Sequence, residues 1–425
     1  MTPRLALAGL LLLPWAAGQD GSPDPAFAKI PFDDWLKESV QPKIRWWLHA
    51  SHPVLAMHQR LIVEFELRLD GAELESRRGK GQLQIYFQVT DADGRKYQSH
   101  GEIDLTKVEE GVKASYIVYT DYAFVLPGEY RVAAAFNLPS TNEHGAREDR
   151  LRVQPLRGDP LAGSWYKLPP VEFLGASQPP ETWFLPAVRG RLHLTVKPKH
   201  PVRLDIVANV STSEQQVRGR RNPSWRPGML IPAFKAFAQV GVEAGATDTT
   251  LVDVLRRKVL FRQSAEQALD WDAIRPALVE ASAGTIDLKA LEGRRRDLAF
   301  LISELNRRLA GDGGPRAVVL ISNMVEFESG QDVSTERVKR CDGCRLFYVR
   351  IRPPIARPST PMAVPRGGRR MGGSPGGRSL GYLSENPIDQ IEPVLKPAAP
   401  RVFDIATPEQ LRKAMAAILD EIARM

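Results

Sequence analysis

The hydrophobic repeat along this chain changes period once, near residue 200, and that change restricts the possible folds more than any other feature. Before it, apolar and polar residues alternate. Leu61, Val63, Phe65, Leu67 and Leu69 are interleaved with Glu64, Glu66 and Arg68, and Leu83, Ile85, Phe87 and Val89 with Gln82, Gln84 and Gln88. Tyr130, Val132, Ala134 and Phe136, then Leu151 and Val153, repeat the pattern. Period two gives each strand one buried and one wet face. Turn residues separate the strands at Asp70-Gly71, Asp91 to Gly94, Pro127-Gly128 and Asn142 to Gly145. Closely spaced strands with such turns predict an antiparallel β-sandwich over residues 41–155.

After residue 200, apolar runs alternate with helical patterns, which predicts βαβ units and a parallel sheet from 199 to 425. Val202 to Val210 reads as a central strand ending in the polar cluster Asn209, Ser211, Thr212 and Ser213. Ile231 to Val240 follows as a helix, and Leu251–Leu255 with Val259–Phe261 as a strand pair turning at Arg256 to Lys258. Leu298, Leu301, Ile302, Leu305 and Leu309 have helical spacing, and Gly311 to Pro315 stops that helix. Ala317 to Ile321 is a fully apolar strand ending in Ser322-Asn323. Leu346–Ile351 and Val402–Ile405 are the next strands. Thr407-Pro408-Glu409-Gln410 has the form of a capping box opening a last helix.

Residues 19–40 are polar and contain prolines, so a loose lead-in is expected there. Residues 156–198 are rich in both proline and aromatics, including Trp165 and Trp183. A flexible linker is poor in aromatics, so this segment is expected to pack on one or both domains. At the amino terminus, Arg4, the apolar run Leu5 to Leu13 and the small residues Ala16-Ala17-Gly18 form a signal peptide pattern over 1–18. The run is too short for a permanent anchor, which implies a secreted or periplasmic mature chain starting near Gln19.

The net charge of +8 is concentrated locally. Between Arg352 and Leu380 there are six arginines, no acid and no aromatic, among many Gly and Pro. That composition predicts a disordered loop over 352–380 rather than a nucleic-acid-binding face. Cys341 and Cys344 are separated by Asp-Gly, and in an oxidising compartment such a pair forms a local disulfide clip. No His-Glu-x-x-His, Gly-x-Ser-x-Gly or Walker loop occurs, so no catalysis is expected.

The strand and helix order from Arg203 to Met425 resembles a von Willebrand factor A (VWA) domain. That family places Asp-x-Ser-x-Ser after its first strand, a Thr in a loop before a helix and an Asp after its fourth strand. The matching residues are Asn209, Ser211 and Ser213, then Thr285, then Asn323. The resemblance implies an α/β, doubly wound, Rossmann-type domain with a metal-ion-dependent adhesion site. It also implies protein–protein contact with an unspecified partner. Both family acids are replaced here by asparagine. Neutral oxygens alone compensate poorly for dehydrating a dication, so a degenerate site is expected, with no cofactor or only weak Mg²⁺ binding. Asp205, Asp248 and Asp287 are the acids that could stand in. Leu126 to Val132 resembles the late hairpin of immunoglobulin-like and fibronectin-like modules. The combination of export signal, Ig-like sandwich and VWA-type domain is similar to secreted bacterial VWA-related proteins. The alternatives are a structural envelope protein binding anionic surfaces through the Arg-rich loop, and a hydrolase without a recognisable motif.

Overall fold

The computed structural model describes residues 24–38, 43–108, 115–174, 190–211, 229–264, 269–282, 298–310, 314–325, 336–352 and 389–425. The chain divides into two compact units, Met1–Leu194 and Thr195–Met425. It is β-rich, with antiparallel sheets in the first unit and most of its helices in the second. The signal-peptide pattern and nearly all of the Arg-rich stretch lie outside the described residues.

In the first unit the chain runs α1 (Phe32–Trp35), β1 (Trp46–Ala50), β2 (Val54–Leu55), β3 (Leu61–Asp70), α2 (Gly71–Leu74), β4 (Gln82–Thr90) and β5 (Lys96–Asp104). It continues through β6 (Tyr116–Val125), β7 (Gly128–Leu138), β8 (Glu143–Val153) and β9 (Val171–Phe173). One antiparallel sheet has the order β1-β3-β6-β9, with β2 also on β3, and the other has β5-β4-β7-β8. The alternating residues of β3, β4 and β7 meet in a single core between the sheets, with Val63, Phe65, Leu67, Leu83, Ile85, Phe87, Val132 and Phe136 fully buried. Each such side chain contributes about 1.5–3 kcal/mol of transfer free energy.

Over residues 156–174 the segment packs on the first unit, as its aromatics led one to expect; the loose lead-in is the expectation that is corrected. β9 adds to β6, Val171 and Phe173 enter the core, and the Trp165 indole N–H donates to the Gln59 carbonyl at 2.8 Å. Trp183 lies outside the described residues. The described part of the lead-in, 24–38, is packed rather than loose: Phe27, Phe32 and Trp35 are buried against Tyr86, Ala133 and Ala135. Three aromatics offer too much apolar area to leave in water, and they outweigh the polar and proline residues between them.

The second unit comprises β10 (Leu194–Val196), β11 (Arg203–Asn209), α3 (Leu230–Phe237), β12 (Val240–Val242), β13 (Ala246–Asp253) and β14 (Lys258–Ser264). There follow α4 (Trp271–Ser282), α5 (Ala299–Leu309), β15 (Arg316–Asn323), β16 (Cys344–Ile351), α6 (Ile391–Leu395), β17 (Arg401–Ile405) and α7 (Pro408–Arg424). β10 and β12 form a small sheet. The main sheet has the order β14-β13-β11-β15-β16-β17, parallel throughout except where β14 returns against β13.

Val207, Val318, Leu320, Leu346 and Tyr348 face one side of the sheet and pack with Leu301, Ile302 and Leu305 of α5 and Ile391, Val394 and Leu395 of α6. Leu204, Ile206 and Ala208 have the opposite parity and face the other side, where α3, packed on β11 and β15, covers them. The capping box at the start of α7 is present: Gln410 N–H donates to Thr407 Oγ1 and Thr407 N–H to Gln410 Oε1. Among the described residues no helix is long and apolar enough to cross a membrane.

Candidate functional site

The chain leaves β11 toward β13 and β14, then comes back to place β15 on the other side of β11 and continues outward to β16 and β17. The direction of winding therefore reverses between β11 and β15. In open parallel sheets, ligand sites lie beyond the carboxyl ends of the strands at such a reversal. Three strands end side by side there: β13 at Asp253, β11 at Asn209 and β15 at Asn323.

A buried hydrogen-bond network joins these ends. Asn209 Nδ2 donates to Ser322 Oγ at 3.0 Å. Asn209 Oδ1 accepts from the Ser211 N–H at 3.1 Å and lies 2.6 Å from Ser211 Oγ. Ser211 Oγ accepts from the N–H groups of Val254 at 2.6 Å and Leu255 at 3.3 Å, and is 3.1 Å from Asp253 Oδ1. Ser322 Oγ donates to the Asn323 carbonyl at 2.6 Å. Asn209, Ser211, Asp253 and Ser322 are all buried, while Asn323 is half-buried. Asn209, Ser211 and Asn323 thus come to one edge. Ser213 and Thr285 lie outside the described residues.

The acid at this edge is Asp253, which the sequence reading missed. Its Oδ1 accepts from the Arg256 N–H at 3.0 Å, and its Oδ2 is 3.5 Å from the Arg256 guanidinium. The signal was slight: Asp253 follows only the apolar pair Leu251-Val252, and the register that sets Asn209 beside Val252 is not written in the local pattern. The acids considered as substitutes are elsewhere. Asp205 lies four residues back along β11, roughly 13 Å at the strand rise, buried beside Arg308 and Arg203. Burial pushes its carboxyl above the ordinary range, only partly offset by those two guanidiniums. Asp248 is paired with Arg203, and Asp287 lies outside the described residues. Among the described residues no group of three or more His, Cys, Asp or Glu is placed to hold a metal ion. Cys341 and Cys344, the latter the first residue of β16, are joined by a disulfide, with Cα atoms 5.4 Å apart.

No protein-family profile and no curated protein matches the sequence. Among solved structures, a glycosyl hydrolase family 2 member from Bacteroides cellulosilyticus DSM 14838 is similar at 7% identity and TM-score 0.18, over 25% of this chain and 14% of that one. The putative ApaA protein from Bordetella pertussis is similar at 13% identity and TM-score 0.18, over 27% of this chain and 98% of that one.

Proposed function

We propose that the second unit is a VWA-like domain that binds a protein partner at the carboxyl edge of β11, β13 and β15, with little dependence on metal. The strand order supports the family reading. Counted from β11 and leaving out β12, it is 3-2-1-4-5-6 with one antiparallel edge strand. The buried network of Asn209, Ser211, Asp253 and Ser322 carries the functional reading. An adhesion site on this scaffold offers its hydroxyls to Mg²⁺. Here the Ser211 hydroxyl is occupied by two backbone N–H groups, and the nearby carboxylate is engaged by Arg256. The hydrogen bonds fix these side chains in place, with Asn323 at the half-exposed rim, which suits hydrogen bonding with another chain.

In the first unit, Tyr130 Oη donates to the Leu126 carbonyl four residues upstream at 2.9 Å, a contact that supports an Ig-like assignment. The amino-terminal pattern supports export, with the mature chain starting near Gln19. Calorimetric titration with Mg²⁺, Mn²⁺ and Ca²⁺ tests the metal reading: millimolar binding or no heat is expected, and a micromolar constant would overturn it. Capture of a partner from an envelope fraction, lost on Asn323→Arg, tests the surface. Capture unaffected by that change would place the interface elsewhere.

A further inference from the structure

The segment 24–38 lies on the outer face of the β5-β4-β7-β8 sheet of the first unit, on the side away from the core. Phe27, Phe32 and Trp35 cover Tyr86, Ala133 and Ala135. Small side chains on β7 leave the face shallow enough to receive the three rings. Each end of the segment is fixed by a histidine of an outer strand. At one end His100 Nδ1 of β5 lies 2.6 Å from Asp24 Oδ2, and the Asp24 N–H donates to Gln98 Oε1. At the other, His144 Nε2 of β8 lies 2.8 Å from Glu38 Oε2, and the His144 ring stacks on Trp35 with centroids 4.5 Å apart and planes at 17°. Lys96 of β5 pairs with Asp33 between them.

We infer that residues 24–38 are a strap held on this sheet face by the His100–Asp24 and His144–Glu38 contacts, and that the strap loosens as His100 loses its proton. Histidine is the side chain whose charge changes between about pH 5 and 8, and both latches put an imidazole against a carboxylate. The groups facing His100 are Asp24 and Lys29 of the strap and Glu102 and Tyr86 of the sheet. Those facing His144 are Glu38 and Trp35 of the strap and Asn137 beside it in β7.

The hydrogen bond that His100 donates to Asp24 raises the imidazole above its ordinary range, against the opposing effect of burial. Burial raises the Asp24 carboxyl, but His100 and the Ala26 N–H outweigh it and hold it below the usual value. The attachment is therefore complete between the two titrations. It weakens as pH rises through that of His100, or falls through that of Asp24. Loosening bares Tyr86, Ala133 and Ala135, an apolar face on an otherwise polar sheet surface.

Hydrogen exchange of the amides in 24–38 of the full chain, corrected for intrinsic rates, reads the strap directly. Protection is expected to fall about fivefold from pH 5.5 to pH 9, the ratio for a hydrogen bond between ions becoming one to a neutral donor. The variant His100→Gln should show the alkaline level at both pH values, and Asp24→Asn, which removes the carboxylate that His100 meets, should do the same. Equal wild-type protection at both values, or a persistent pH effect in His100→Gln, would overturn the inference.

Discussion

Replacing Ser211 by Ala removes the hub of the network at the sheet edge. The Ser211 hydroxyl accepts from Val254 and Leu255 and sits against Asn209 Oδ1 and Asp253 Oδ1, with the residue 4% exposed. In the variant, Val254 keeps only the Asn209 Oδ1 contact at 3.5 Å, too long to count as a full bond, and Leu255 loses the Ser211 acceptor. A buried donor without a partner costs about 1–3 kcal/mol. With Val254 partly compensated, the loss comes to about 2–3 kcal/mol for the second unit. At a slope of about 2–3 kcal/mol per molar urea, the midpoint falls by roughly 1 M with the slope unchanged. The two units need not unfold together, so the assay must report the second alone. Hydrogen exchange of the β11 and β15 amides against urea does this. Asn323→Ala, at the half-exposed rim, is the control and should stay within about 0.5 kcal/mol. A Ser211→Ala midpoint within about 0.2 M of wild type would refute the claim that this hydroxyl holds the strand ends together.

Placing acids at the two asparagines of the proposed site, as Asn209→Asp with Asn323→Asp, supplies the charge that a dication needs, and Mg²⁺ affinity by calorimetry should tighten at least tenfold. A folded double variant no better than wild type would show that the scaffold, and not only the missing charge, excludes the ion. In the first unit, Asp121 is fully buried, with Oδ1 accepting from the Tyr122 N–H at 2.7 Å. Burial pushes its carboxyl from 3.8 up to about 6. The folded state therefore holds this proton to higher pH than the unfolded state. Stability of the first unit should fall as pH rises between these values, by about 3 kcal/mol at full ionisation. Urea unfolding at pH 4.5 and 7.5 measures it, and Asp121→Asn should flatten the profile. A wild-type unit equally firm at both pH values would contradict the burial argument.

What the sequence made legible follows from how local the signals were. The sandwich strands carry strict alternation because one face of each is wet, and β3, β4 and β7 lie where that alternation put them. α5 and α7 carry their buried stripes at helical spacing, and Thr407 and Gln410 mark a helix start by a contact three residues long. The strap and β9 were not legible because their partners are distant in sequence. Nothing around Phe27 or Val171 says that Tyr86 or Val125 will meet them. α4, with Pro276 inside it, has a weaker apolar stripe than α5 and was not resolved as a separate element.

The site divides along the same line. Asn209, Ser211 and Asn323 could be read because each ends an apolar run, and a buried strand that stops at polar side chains delivers them to a sheet edge. Asp253 follows only the apolar pair Leu251-Val252, and its importance depends on strand order: β13 must lie beside β11 for its carboxylate to meet Ser211. Local pattern gives the ends of strands, while neighbourhood is a property of the whole sheet. That distinction bears on the chemistry. Without Asp253 the edge reads as a ring of neutral oxygens waiting for a ligand. With it, and with Arg256 on its far side, the described oxygens are joined in one network that extends to Asn323. Oxygens engaged with one another in this way are less available to a ligand, and under the proposed reading their fixed positions lower the ordering cost a partner at the rim must overcome.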